Sequence, residues 1–151
     1  MWSLGQKNVR SVVVMSTMVS SILGRTDAKI LAWDSYVLSS PLATGYHQSG
    51  WRRVIEEAFG HPTYYLVVHG QDGALQGVLP LVLLASRGFG RFLVSLPFVN
   101  YGGVVASSAE AHRYLEARAV EQARELNVDH IELRHQVLMD TAWVATVRKV
   151  S

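Results

Sequence analysis

The spacing of apolar positions changes three times along the chain, and each change marks a new kind of element. Trp33, Tyr36 and Val37 fall at i, i+3 and i+4 ahead of Ser39-Ser40-Pro41, which predicts a short helix over residues 32–39. A second helix is better specified. Ser49 offers a cap, Trp51, Val54, Ile55, Ala58 and Phe59 form one apolar stripe, and Gly60-His61-Pro62 stops it. Arg52, Arg53, Glu56 and Glu57 take the other side and read as a solvated surface. From Thr63 the pattern becomes β-branched and aromatic: Tyr64 to Val68 is a strand, followed by a turn at His69-Gly70-Gln71-Asp72-Gly73. Leu75 to Ala85 and Phe92 to Leu96 make two further strands on either side of Ser86-Arg87-Gly88-Phe89-Gly90-Arg91. Short Gly-containing turns between three strands predict an antiparallel meander.

Val104-Val105-Ala106 is a further extended piece, and Ser107 with Glu110 three residues on has the form of a capping box. It opens the longest helix, Ala109 to Asn127, with Leu115, Ala119 and Leu126 facing inward and Asn127 suited to a left-handed end. Residues 129–134 then alternate, which sets Ile131 and Leu133 against His130, Glu132 and Arg134. The order helix, helix, strands, helix, strand, with no internal repeat or low-complexity linker, predicts a mixed α/β sheet in residues 27–135. Residues 1–26 read as a leader or a first strand, and residues 136–151 as a tail without a clear period. Lys7 and Arg10 ahead of Val12–Leu23 imitate a signal peptide, but the run is diluted by Ser and Thr, lacks a small-x-small site before Arg25, and is too short to span a bilayer. Met15 and Met18 are alternative starts. The expectation is a soluble, cytoplasmic protein with no membrane span.

Composition narrows the classes. The chain has 151 residues, 49% apolar and 17% charged, whereas ordinary domains carry roughly 25% charge. A disordered regulator or a polyampholytic coiled coil is excluded, and a chain of this size forms one domain with a core of its own. There is no Cys, hence no disulfide, thiolate nucleophile or Cys-based zinc site. The net charge of +2 arises at the N-terminus, where residues 1–26 hold Lys7, Arg10 and Arg25 and no acid; 11 bases face 12 acids in the rest. No basic cluster exceeds Arg52-Arg53, so nucleic-acid binding is not expected.

The candidate chemistry is sparse. Arg87-Gly88-Phe89-Gly90-Arg91 resembles a phosphate loop in composition, but it leads into a strand rather than a helix and reads as a hairpin turn. The six His are scattered and no His pair takes metal-ligand helical spacing with an acid, so no metal site is expected. There is no G-x-S-x-G elbow. The most informative stretch is Ser95-Leu96-Pro97-Phe98-Val99-Asn100-Tyr101-Gly102-Gly103, where two glycines permit a bend or a close backbone approach to a ligand beside an amide and a phenol. The alternative is a bulged strand. His47, near the start of the second helix, titrates in the neutral range when exposed but has no local carboxylate to orient it.

Several of these strings occur together in a family pattern. Trp33-Asp34-Ser35-Tyr36-Val37, the stretch from Tyr46 to His61, Gly77-Val78-Leu79-Pro80-Leu81, Ser95 to Gly103, and Ile131-Glu132-Leu133-Arg134 resemble the FemAB-related group of GNAT-fold transferases, in particular members associated with PEP-CTERM and exopolysaccharide systems. The similarity covers residues 30–135. It implies a GNAT-like α/β fold, with a largely antiparallel mixed sheet flanked by helices, in a cytoplasmic bacterial protein. It also implies transfer of an acyl or aminoacyl group to an amine in cell-envelope or exopolysaccharide metabolism, with a small-molecule or envelope-precursor acceptor.

The chain departs from the family in two ways. Family members are about twice as long, with two GNAT-like lobes, so this chain resembles the first lobe alone. The Q/R-x-x-G-x-G/A loop that binds acyl-CoA is replaced by Val104-Val105-Ala106-Ser107-Ser108-Ala109-Glu110. The resemblance therefore implies an acceptor cleft lined by Asn100, Tyr101, Gly102 and Gly103, with His47 and Arg134 beside it. The acyl-CoA or aminoacyl-tRNA donor would be held by a second lobe or a homodimer partner. The competing readings are a non-catalytic GNAT-like module that docks through an apolar face, and a complete small N-acetyltransferase with a degenerate loop.

Overall fold

A computed structural model describes residues 17–135. The expected leader before Thr17 and the tail with Trp143, Val144 and Val147 lie outside the described residues. In chain order the elements are β1 (Val19–Leu23), α1 (Ile30–Ser39), a 3-10 turn (Gly45–His47), α2 (Ser49–Ala58), β2 (Thr63–His69), β3 (Leu75–Ser86), β4 (Gly90–Val94), β5 (Val105–Ala106), α3 (Ala109–Glu125) and β6 (His130–Glu132). The sheet runs β1-β2-β3-β4-β6, with β5 also paired to β3. All pairings are antiparallel except β4 with β6, which is parallel and spanned by α3.

The strands read as nearly continuous apolar runs because the sheet is covered on both faces. On one face Leu66, Val68, Leu79, Leu81, Leu93 and Ile131 meet Ala111, Leu115, Ala119 and Ala123 of α3. On the other, Tyr65, Val67 and Val78 meet Trp33 and Val37 of α1, and Val82 meets Ile55 of α2. Gly77 permits the close seat of α3, since a Cβ there would lie 2.8 Å from Leu115 Cδ1. Val19–Leu23 pairs with β2, so the sheet begins within the segment set apart as leader or first strand.

Three local expectations need correction. Helix α2 turns Arg52 and Ile55 inward and leaves Val54 and Phe59 partly exposed, so the apolar stripe is not the buried edge. Ser49 does not cap it; its N–H and hydroxyl donate to the Asp34 carboxylate of α1 at 2.7 and 2.5 Å. At α3 the cap is Ser108, whose hydroxyl accepts from Ala111 N–H, while the Ser107 hydroxyl donates to Gln76 Oε1 of β3 at 2.7 Å. Asn127 does take a left-handed φ of 49°.

The most consequential departure is at the end of β4. The strand stops at Val94, and the chain returns to β3 only at Val105. Residues 95–104 leave the sheet, and among the described residues positions 79–81 of β3 have no strand partner on that side. Pro80, which has no N–H to give a ladder, sits in this gap.

Candidate functional site

The excursion over residues 95–104 is fastened to the run-out of β6, and most of the six residues named from the sequence take part in the fastening. The Arg134 carbonyl accepts from Gly102 N–H at 3.1 Å and Gly103 N–H at 2.8 Å. The Arg134 N–H donates to Ser95 Oγ at 2.8 Å, and its guanidinium donates to the Val99 carbonyl at 2.8 Å and to Glu132 at 2.6 Å. Arg134 is therefore a positioning residue, with its side chain engaged by the loop. The two glycines are required by close approach: a Cβ would lie 2.5 Å from Leu96 Cβ at Gly102, and 2.8 Å from the Arg134 carbonyl oxygen at Gly103. Neither has positive φ; the left-handed conformations fall on Leu96 at 44° and Phe98 at 74°. A bulky residue held there marks strain that the surrounding contacts impose. Leu96 is buried beside Ile55 and Val82, and the Phe98 ring stacks on Phe59 with centroids 4.9 Å apart.

His47 closes the assembly from the other side. Thr44 N–H donates to its Nδ1 at 3.0 Å, which puts the ring proton on Nε2, and that N–H donates to the Gly103 carbonyl at 2.9 Å. Trp33 Nε1 donates to the His47 carbonyl at 2.6 Å, tying the turn to α1. Burial pushes the His47 pKa below the ordinary histidine value, against the raising effect of its bonds to Gly103 and Thr44. The ring is thus a neutral strut with both nitrogens occupied. It is not free to act as a base.

Asn100 and Tyr101 differ from the other four. Both are exposed at the tip of the excursion, and among the described residues neither side chain has a hydrogen-bond partner within the chain. The clasp therefore presents one free amide and one free phenol on a backbone anchored at both ends. It also lies at the carboxyl ends of two parallel strands joined by a crossover helix, where ligands bind in open α/β sheets.

A separate cleft of about 500 Å3 shares no residue with the clasp. It is lined by Arg25, Arg52, Arg53, Glu56 and Glu57 with Ser49 and Gly50 between them. Sequence reasoning placed four of these charges in solvent, yet Arg52 is buried. Its guanidinium donates to Thr63 Oγ1 at 2.9 Å, the Leu23 carbonyl at 3.0 Å and Glu56 at 3.2 Å, and it lies over the Tyr65 ring. Arg25 pairs with Glu56 at 2.6 Å and Arg53 with Glu57 at 3.5 Å, so the cleft's charges are largely spent on one another. The only sequence signal was the Arg52/Glu56 and Arg53/Glu57 spacing of i, i+4, which is equally common on helix surfaces.

The start of α3 stands where the family carries its acyl-CoA loop, and, as the missing motif led us to expect, its residues do not fit a pyrophosphate. No glycine lies between Val104 and Glu110. The Ala111 N–H donates to Ser108 Oγ, so one of the first-turn amides that would face an anion is engaged. Glu110 adds a carboxylate to the first turn, where an anion would have to sit.

No protein-family model matches the sequence, and no curated protein matches it. Among solved structures the chain is similar to a GNAT family acetyltransferase from Staphylococcus aureus subsp. aureus USA300_TCH1516. The two share 11% identity at a TM-score of 0.50, over 85% of this chain and 96% of that one. The likeness is one of fold: the chain has a GNAT-like, largely antiparallel mixed sheet flanked by helices. No described helix is long and apolar enough to cross a membrane.

Proposed function

We propose that this chain is an acyl- or aminoacyl-transferase-like lobe of FemAB/GNAT type that supplies the acceptor-binding surface for an amine of cell-envelope or exopolysaccharide metabolism. The observation that carries the reading is the clasp. A loop at the carboxyl ends of parallel β4 and β6 is fixed by His47, Arg134 and two tightly packed glycines, and holds out Asn100 and Tyr101. Transfer of an acyl group to an amine needs little covalent help from the protein. The amine nitrogen attacks the acyl carbon, the bond to the leaving group breaks, and the ammonium proton passes to a base or water. Orientation of the acceptor is the larger contribution, and a pair of hydrogen-bonding side chains on an anchored backbone supplies it. The donor, acyl-CoA or aminoacyl-tRNA, is assigned to a second lobe or a partner copy because the start of α3 lacks a glycine cradle. The Staphylococcus aureus protein, described as an acetyltransferase and almost wholly covered by this chain, supports a transferase class of function.

A second reading is favoured by a different observation. Leu31 and Leu38 of α1 are 73% and 72% exposed, a face suited to docking in a non-catalytic GNAT-like module.

The two are separated by titrating 15N-labelled protein with primary amines of envelope type, a lysine-containing peptide and glucosamine. The transferase-lobe reading expects saturable amide shifts centred on Asn100–Gly103 that vanish in Asn100→Ala/Tyr101→Ala. Shifts confined to α1, or none with either amine, would overturn it.

A further inference from the structure

We propose that His112, Glu116 and His135 form a binding site for a divalent transition-metal ion of the zinc class, with the remaining coordination position left to water. Nothing in the transferase reading requires this site. Helix α3 sets His112 and Glu116 one turn apart on the same side, and the run-out of β6 brings in His135 from far along the chain. Glu116 Oε1 lies 3.6 Å from His112 Nδ1 and 3.2 Å from His135 Nε2. A tetrahedral ion with bonds of about 2.0–2.2 Å holds its ligand atoms roughly 3.3–3.6 Å apart. The two separations from Glu116 lie close to that range, and one donor atom from each of the three residues lies within 4.8 Å of the others.

The donor set also selects the ion. Two imidazoles and one carboxylate suit zinc, cobalt or nickel, whereas calcium and magnesium require oxygen ligands. Among the described residues no Lys or Arg pairs with Glu116, so its charge is offered to the two rings alone. The two rings sit with centroids 4.9 Å apart, both only partly exposed. His135 Nδ1 is buried without a hydrogen-bond partner among the described residues, which leaves Nε2 as the polar outlet of that ring. A histidine and an acid at i, i+4 on one helix were visible in the sequence, but the second histidine is contributed by topology. A metal here would fasten the run-out of β6, and with it Arg134 and the clasp, to α3.

The test uses the full chain, freed of metal by dialysis against a chelator. Zinc titrated by calorimetry should bind with one equivalent, and cobalt should give the intense visible bands of a tetrahedral site. Glu116→Gln, which keeps the shape of the side chain, and His135→Ala should each weaken zinc binding by about tenfold or more, while His69→Ala should not. Far-UV circular dichroism checks that the variants are folded; if His135→Ala is not, Glu116→Gln decides alone. Absence of stoichiometric zinc binding, or affinity unchanged in Glu116→Gln, would overturn the proposal.

Discussion

The clasp around Arg134 and the first turn of α3 are close in sequence and built largely from backbone, but they use their hydrogen bonds differently. In the clasp the inward polar groups of His47, Arg134 and the two glycines are matched within the chain. His47 serves Gly103, the Arg134 carbonyl serves both glycines, and the outward side chains of Asn100 and Tyr101 remain unengaged. At α3 the reverse holds: Ser108 Oγ occupies the Ala111 amide, and Glu110 adds a negative charge at the mouth. A helix N-terminus attracts an anion through free N–H groups and a positive dipole end. Here both are partly cancelled. On the proposed reading, this GNAT-like fold keeps a surface for a neutral or cationic acceptor at the clasp without a glycine cradle for a phosphate-bearing donor at α3.

The most severe way to break the comparison is to fill the clasp. A methyl at Gly103 meets the Arg134 carbonyl oxygen at 2.8 Å, and backbone cannot swing aside as a flexible side chain can. Gly103→Ala is expected to cost about 1–3 kcal/mol, read as a lower midpoint in urea. Gly88→Ala, in the β3–β4 turn with nothing within 4 Å of its Cβ, should stay within about 0.5 kcal/mol of the parent.

A gentler disturbance is protonation. The His47 pKa is lowered in the folded chain, so the unfolded chain binds the extra proton more readily. Its contribution is complete above the unfolded value of about 6.5 and is lost as the pH falls below it, at no more than about 1.4 kcal/mol per pH unit. Urea midpoints between pH 7.5 and 5 should decline in the parent, and the slope should flatten in His47→Gln. Glu116 acts in a lower window. With its pKa lowered from 4.5 to about 2, its contribution is present above 4.5 and fades as the pH drops toward 2. A decline confined to that acid range would mean that His47 is not the strut described.

The smallest effect is expected at α3. Ser108→Ala removes one cap and should cost about 1 kcal/mol, with no change in the amides of Asn100–Gly103. Coupled shifts in those amides would show that the two regions are not separate.

Much of this fold was legible because a sheet covered on both faces writes its strands as apolar runs. Thr63–His69 and Leu75–Ser86 follow the sequence reading to within a residue or two. The end of β4 was not legible. Phe92 to Leu96 is apolar apart from Ser95, and pattern alone does not reveal that Leu96 adopts a left-handed φ and leaves the sheet to pack on Ile55. Arg52 was misplaced for a related reason. Helical periodicity assigns a charge to solvent, whereas its guanidinium finds the Leu23 carbonyl and Thr63 in strands that the periodicity of α2 knows nothing of. The choice between Ser107 and Ser108 as cap was settled by Gln76 on β3. In the candidate site, the double glycine pointed to a bend or a close approach to a ligand, and the groups that approach it in the structure are the chain's own Leu96 and Arg134. The roles of His47 and Arg134 as buried fasteners, rather than as groups facing a ligand, depended on partners more than 30 residues away.

The central claim is that the donor-facing turn is not built for a nucleotide while the clasp is built for an acceptor. Its most direct test is addition of acetyl-CoA to the 15N-labelled chain, with the amides of Ser107–Ala111 followed. The account predicts that they do not move at concentrations where the amine acceptors shift Asn100–Gly103. Saturable movement of Ser107–Ala111 with acetyl-CoA would contradict it and make this chain a complete small acetyltransferase.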